Sequence, residues 1–277
     1  SSVTGVQTCA LPIWERSCQR GLLARNEAWA LSETLRAENR KKSIPLFEEA
    51  LAEFERCGSK GWQAQVLEEM SDTLMYMGER ARPLGLYKRG SALRRELGEE
   101  RALGISLTDM GLAATDVGEV KEALAWFEEA LRLKEKYGDR HAVAMTLNST
   151  ATAFRYLGQQ DKAIAALEQA LGLLRAEGKS VTMANVLARL GSEIFETGRY
   201  QEGIALLAES LQIAEELNNP DLKGSATATL GMFYSALGDM ERARQYWEDA
   251  GRHFAAAGNR SAVASDRKST RLNSRHT

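Results

Sequence analysis

The chain has 277 residues, 44% of them hydrophobic and 27% charged, which is enough apolar material for a sizeable core and argues against wholesale disorder. Its 36 basic and 38 acidic residues leave a formal net charge of −2, so the broad basic surface that a nucleic-acid binder needs is missing. No apolar run is long enough to span a membrane, and only four prolines stand in the way of long helices.

Val3–Ile13 reads VTGVQTCALPI, and the far end, Asp266–His276, reads DRKSTRLNSRH. Both resemble translated sequencing adapters, and the two are antisense-related. With one choice of codons, the reverse complement of the first translates into the second at ten of eleven positions, Arg275 being the exception. Residues 1–13 and 266–277 are therefore expected to be non-native tails around a native segment, 14–265, cut from a longer gene at both ends. Cys9 and His276 then drop out of any functional argument. The tail carries Arg267, Lys268, Arg271 and Arg275 against Asp266, a net +3, which puts the native part near −5.

Between these ends the sequence is periodic. A first helix is expected near Leu22–Ala37, with Glu38 standing where later copies carry a turn glycine. Gly78, Gly118, Gly158, Gly198 and Gly238 then recur every 40 residues. A second column, offset by twenty, holds Gly58, Gly98, Gly138, Gly178 and Gly258, with Asn218 filling its one gap. Glycine and, after it, asparagine best tolerate the left-handed backbone that ends a helix, so both columns read as helix stops. The segments of about 17 residues between stops carry apolar residues at helical spacing.

Packing positions keep the same register. After each turn comes a large residue: Phe47, Tyr87, Phe127, Leu167, Leu207 and Trp247. Three positions on is a small one: Ala50, Gly90, Ala130, Ala170, Ser210 and Ala250. Seven positions before each turn stand Ser71, Gly111, Ala151, Gly191 and Gly231. A mid-helix glycine costs about 1 kcal/mol relative to alanine, so three in register predict a close helix crossing. Residues 258–265, GNRSAVAS, repeat 138–145, GDRHAVAM, at five of eight positions, as if a seventh hairpin were beginning.

This pattern of small residue, turn glycine, aromatic and small residue resembles the tetratricopeptide repeat family over about residues 20–265, in a long variety whose unit is 40 residues rather than the family's 34. The resemblance implies an all-α solenoid of about six antiparallel hairpins, wound into a right-handed superhelix. It also implies a concave groove, lined by the first helix of each repeat, that binds peptides or helices. By register the groove candidates are Glu68, Asp72 and Met75; Thr108, Leu112 and Thr115; Asn148, Thr152 and Arg155; Asn185, Ser192 and Phe195; and Ser225 and Met232. Some family members clamp a peptide's carboxylates with lysine and asparagine. The equivalent positions here, Glu68/Asp72, Thr108/Leu112 and Asn148/Thr152, hold no lysine. An amphipathic or basic partner segment is therefore expected rather than an acidic C-terminal peptide.

No catalytic constellation emerges, and no catalytic residue, metal ligand or cofactor is expected. His141 and His253 are too far apart to act together and are read as surface residues. Cys18 and Cys57 have neither disulfide-framework nor zinc-ligand spacing and are expected as packed or free thiols, in a reducing cytoplasm. Carboxylate pairs such as Glu48/Glu49 and Glu128/Glu129 recur in register, which suits a solvated face better than a single active site. The glycines lack a phosphate-binding spacing.

Three roles remain open: a scaffold or adaptor; the ligand-sensing arm of a bacterial signal-transduction ATPase or helix-turn-helix regulator, which the junctions at Leu93–Gly98 and Lys136–Arg140 resemble; and the accessory arm of an enzyme whose catalytic domain lies outside the segment. In each of them this segment binds protein and touches neither nucleic acid nor membrane.

Overall fold

The computed structural model describes residues 13–34 and 36–258, which form helices without strands and fall into two compact units. The first unit, ending at Tyr137, holds α1 (Ile13–Ser32), α2 (Ala37–Arg56), α3 (Lys60–Tyr76), α4 (Ala81–Leu97), α5 (Glu100–Val117) and α6 (Val120–Lys136). The second, from Gly138, holds α7 (Arg140–Tyr156), α8 (Gln160–Arg175), α9 (Val181–Glu196), α10 (Tyr200–Glu216), α11 (Pro220–Ala236) and α12 (Met240–Ala256). Consecutive odd and even helices pair as antiparallel hairpins, so each unit is a short solenoid of three hairpins.

Both stop columns behave as the sequence predicts. Every glycine in them, and Asn218 with φ 48°, has positive φ. The chain leaves each helix through the left-handed conformation, and only side chains without a Cβ, or with a short polar one, adopt it cheaply.

The close crossings follow from the small column. A Cβ on Gly111 would stand 2.5 Å from the ring of Phe127, and one on Gly231 2.6 Å from that of Trp247. At Gly191 the obstacle is backbone, the carbonyl oxygen of Gly203 at 2.8 Å. Large side chains of one helix thus occupy notches in its hairpin partner. Around these notches Phe47, Phe54, Leu67, Met70 and Leu74 build the core shared by α2 and α3, and Leu207, Leu230, Phe195 and Phe233 build that of α9–α11.

Outside, the carboxylate columns pair with arginines instead of standing as bare solvated charge. Arg82 meets Glu48, Arg89 meets Glu55, Arg95 meets Glu129 and Arg175 meets Glu209, each across 34 residues. They tie α2 to α4, α4 to α6 and α8 to α10, at surface exposure where a single pair contributes at most about 1 kcal/mol.

The first hairpin departs from expectation. Its first helix starts at Ile13 and ends at Ser32, not near Leu22–Ala37, and Glu38 lies inside α2 rather than in a turn. Without a glycine at position 38 the chain turns earlier, and α2 gains a turn at its N-terminus. Pro45 falls within that longer helix and leaves one carbonyl without its usual donor.

Cys18 and Cys57 also correct the sequence reading: they are joined in a disulfide, with Cα atoms 5.6 Å apart and 39 residues between them in sequence. Spacing did not reveal it because the pairing is made by α1 folding back along α2, a tertiary relation. The expectation of a reducing cytoplasm rested partly on unpartnered cysteines, and that premise falls. Val3–Pro12, Asp266–His276 and the start of a seventh hairpin after Gly258 lie outside the described residues.

Among the described residues no helix is long and apolar enough to cross a membrane, and no three His, Cys, Asp or Glu side chains are grouped to hold a metal ion.

Candidate functional site

The first helix of each hairpin presents one face that the core does not consume, and the groove candidates distribute over it unevenly. Glu68 and Met75 are half-buried on α3, and Asp72 keeps exposed area while its carboxyl is crowded by Tyr87, Glu68 and Glu69. Leu112, Asn148, Thr152 and Ser192 are half-buried, while Arg155, Asn185, Ser225 and Met232 are exposed. Three candidates are enclosed. Thr108 accepts a bond from Lys134 Nζ at 2.7 Å, Thr115 donates to the Gly111 carbonyl at 2.8 Å, and Phe195 stacks on Phe233 with ring centroids 3.9 Å apart. Their side chains serve the packing beneath the face.

On the first unit this face is acidic. Glu68 is held by Arg94 from α4 at 2.8 Å, and Glu69 by Arg25 from α1 at 2.8 Å. Arg25 also lies over the Trp62 ring. The Tyr87 hydroxyl, rising from the large column, donates to the Asp72 carboxylate. Asp109 on α5 completes the patch. Burial pushes its carboxyl up to about 7, Asp72 adds to the effect and Lys134 opposes it. Desolvation likewise raises Asp72 against the Tyr87 bond, with Glu68 and Glu69 adding repulsion. Two crowded carboxylates on the first helices of successive hairpins, Asp109 only partly offset by Lys134, make an electrostatically costly surface that a further cation would relieve.

The second unit carries the opposite chemistry. Arg189 of α9 donates to the Thr152 hydroxyl of α7. Arg155 Nε lies 3.6 Å from Glu193 Oε1, and the Glu193 carboxyl is buried with its second oxygen unpartnered. Burial raises Glu193 and lowers Arg189, so both groups are short of solvation. Asn148 Oδ1 is also unpartnered. Register explains why: Glu68 and Thr108 at its position find Arg94 and Lys134 on the paired helix, but Asn148 meets the column at Leu174.

His141 and His253 do not approach each other in role. His141 lies between Thr182, at 3.2 Å, and Glu177, at 3.7 Å. His253 is half-buried on α12, and burial lowers its pKa.

Asp109, Arg189 and Glu193 were missed by the sequence reading, although a signal existed. Glu69, Asp109, Ser149, Arg189 and Thr229 form one column that stays polar while its residue type changes in every copy. A structural column keeps its residue type; one that varies within polarity marks a face with another task.

Residues 102–176 and 182–260 match the family model described as Tetratricopeptide repeat. No curated protein sequence matches the chain. Among solved structures, aspartyl phosphate phosphatase F from Bacillus subtilis is 12% identical with a TM-score of 0.68, over 96% of this chain and 80% of that one. A Rap protein complexed with competence and sporulation factor is 12% identical with a TM-score of 0.62, over 99% and 77%. A signal transduction ATPase with numerous domains and a tetratricopeptide repeat sensor, from Pyrococcus horikoshii, is 16% identical with a TM-score of 0.57, over 94% of this chain and 43% of that one. At these identities the likeness is one of fold.

Proposed function

Since the chain belongs to the tetratricopeptide repeat family, we propose that it is a non-catalytic binding module, whose first-helix faces take a peptide or helix of a partner protein as part of a scaffold or adaptor. The observation that carries this reading is the acidic face of the first unit. Glu68, Asp72 and Asp109 gather there, with Asp109 raised by burial and by the Asp72 charge, and Asp72 by desolvation and by Glu68 and Glu69. A basic or amphipathic segment would supply a further cation and cover Met75 and Leu112 with apolar surface. Charged faces held at such a cost belong to recognition more often than to stability. The solved Rap protein with its bound factor supports the reading by analogy of fold.

A second reading, the sensing arm of a larger regulator, is favoured by the likeness to the Pyrococcus horikoshii protein, of which a repeat sensor is one part. Both readings make the same demand on the first-helix faces.

Selection of short peptides on the full chain, followed by deuterium exchange with the best binder, tests the proposal. Protection of α3 and α5 is expected, with affinity lowered about tenfold in the doubly substituted Asp72→Asn, Asp109→Asn chain, as loss of a charge-assisted contact predicts. Protection confined to the even-numbered helices, or selection of acidic peptides by this patch, would overturn it.

A further inference from the structure

Several arginines in this protein are hydrogen-bonded to carboxylates. Arg94 binds both Glu68 and Glu99, Arg25 binds Glu69, and Arg199 holds Glu202 with two nitrogens. Arg155 and Arg189 make no such hydrogen bond to a carboxylate among the described residues, although Arg155 is ion-paired with Glu193. Arg189 is half-buried on α9, and its one hydrogen bond among the described residues goes to a neutral hydroxyl, that of Thr152. Arg155 of α7 is exposed, and its approach to Glu193 Oε1 at 3.6 Å is too long for a hydrogen bond. A guanidinium carries five N–H donors in a planar fork, so most of the donors of this pair are unused.

Glu193 is their counter-ion through charge alone: it pairs with Arg155 at 3.6 Å and acts on Arg189 without a hydrogen bond to either. Its side chain is 8% exposed, its Oε2 has no hydrogen-bond partner, and its Oε1 bonds neither guanidinium. A buried carboxylate that makes no hydrogen bond to two neighbouring arginines stabilises their charge at a distance without filling their forks. Burial and Arg155 both disfavour the charge on Arg189, while Glu193 only partly offsets them.

We infer that Arg155 and Arg189, with the Thr152 hydroxyl between their helices, form a seat for the carboxylate of an aspartate or glutamate side chain in a bound segment. The inference rests on the binding role proposed above and adds the chemistry that the second unit selects. A carboxylate matches the paired forks of two guanidiniums in a plane. It also fits better than a phosphate, because the Glu193 carboxylate beside Arg155 opposes a dianion more than a single negative charge. The seat differs from a lysine–asparagine clamp in residue type, and its two arginines lie outside the columns of 68/72, 108/112 and 148/152.

The test is a positional scan. Twelve-residue host peptides that bind the full chain are varied at each position to Glu, Gln, Lys or phosphoserine and probed with the labelled protein. At one position Glu should exceed Gln about tenfold, the scale of a charge-assisted pair. That preference should vanish in Arg155→Gln and weaken in Arg189→Lys, which keeps the charge and loses the fork. Arg199→Gln, in the same unit, should leave it intact. Unchanged helicity and melting of Arg155→Gln, an exposed site, separates lost recognition from lost fold. Peptides bound without an acidic preference, a preference surviving both substitutions, or phosphoserine outranking Glu would each overturn the seat while leaving the binding role standing. Failure of every peptide to bind would remove both.

Discussion

In α3 and α4 the carboxylate of Glu68 reaches across the hairpin to Arg94, and in α5 and α6 Thr108 takes the same place against Lys134. At the same register the second unit has Asn148 with Leu174, then Ala188 with Ala214, then Ala228 with Phe254. The first unit thus fastens its hairpins with polar struts, and the second with apolar contact.

The helix starts reverse the pattern. Asp139, Ser180, Asn219 and Asp239 each accept a backbone N–H at the start of α7, α9, α11 and α12, whereas none of the N-caps of α2–α6 does so. One repeat plan therefore tolerates two ways of holding its hairpins, provided the notch and the turn are kept. What the first unit lacks in caps it makes up in struts and a covalent bridge.

Opening that bridge should have the largest effect. Reduction, or Cys18→Ser with Cys57→Ser, removes the constraint on a loop of this length and should cost about 3 kcal/mol. Deuterium exchange should rise in α1 and α2 and stay unchanged in α9–α12. Equal loosening of both units would erase the distinction drawn here.

Asp109→Asn comes next and depends on pH. The native carboxyl holds its proton to about 7 from an ordinary value of 3.8, so the folded state binds the proton more tightly than the unfolded one. Stability of the wild type should therefore fall as pH rises from about 4 to about 7 and level off above. The substitution should gain on the order of 1–2 kcal/mol at pH 8, after allowance for partial solvent screening, and almost nothing at pH 4. A denaturant series at the two pH values decides it, and a gain of the same size at both would refute the assignment.

The smallest effect probes the second unit's caps. Ser180 accepts from the Met183 amide, and Ser180→Ala should cost about 1 kcal/mol. Glu119 has backbone angles close to those of Asp139 but makes no cap bond, so Glu119→Asp should gain a few tenths of a kcal/mol in the first unit. Thermal melts of both variants show whether capping separates the two halves as described.

Much of this architecture was legible because repetition multiplies a local signal. One glycine suggests a turn; ten stop glycines in two columns, all with positive φ, specify where each hairpin ends. The first hairpin was misread for the same reason: it lacks the column residue, and its loop was placed by the others' register. The faces of the first helices were legible as a location. Their chemistry was not, since it depends on which charges across a hairpin find partners. Glu69 finds Arg25 across the hairpins, while Asp109 and Arg189 in the same column make no hydrogen bond to an opposite charge among the described residues.

From the second hairpin on, the sequence by itself determined the helix lengths, the stops and the notches, because each is a property of a residue and its near neighbours along the chain: left-handed tolerance, absence of a Cβ, apolar spacing. The pairing of Cys18 with Cys57, the strut from Glu68 to Arg94 and the unfilled forks of Arg155 and Arg189 were decided only in three dimensions. Burial there sets the cost of a charge, and a partner 26 to 39 residues away sets whether that cost is met.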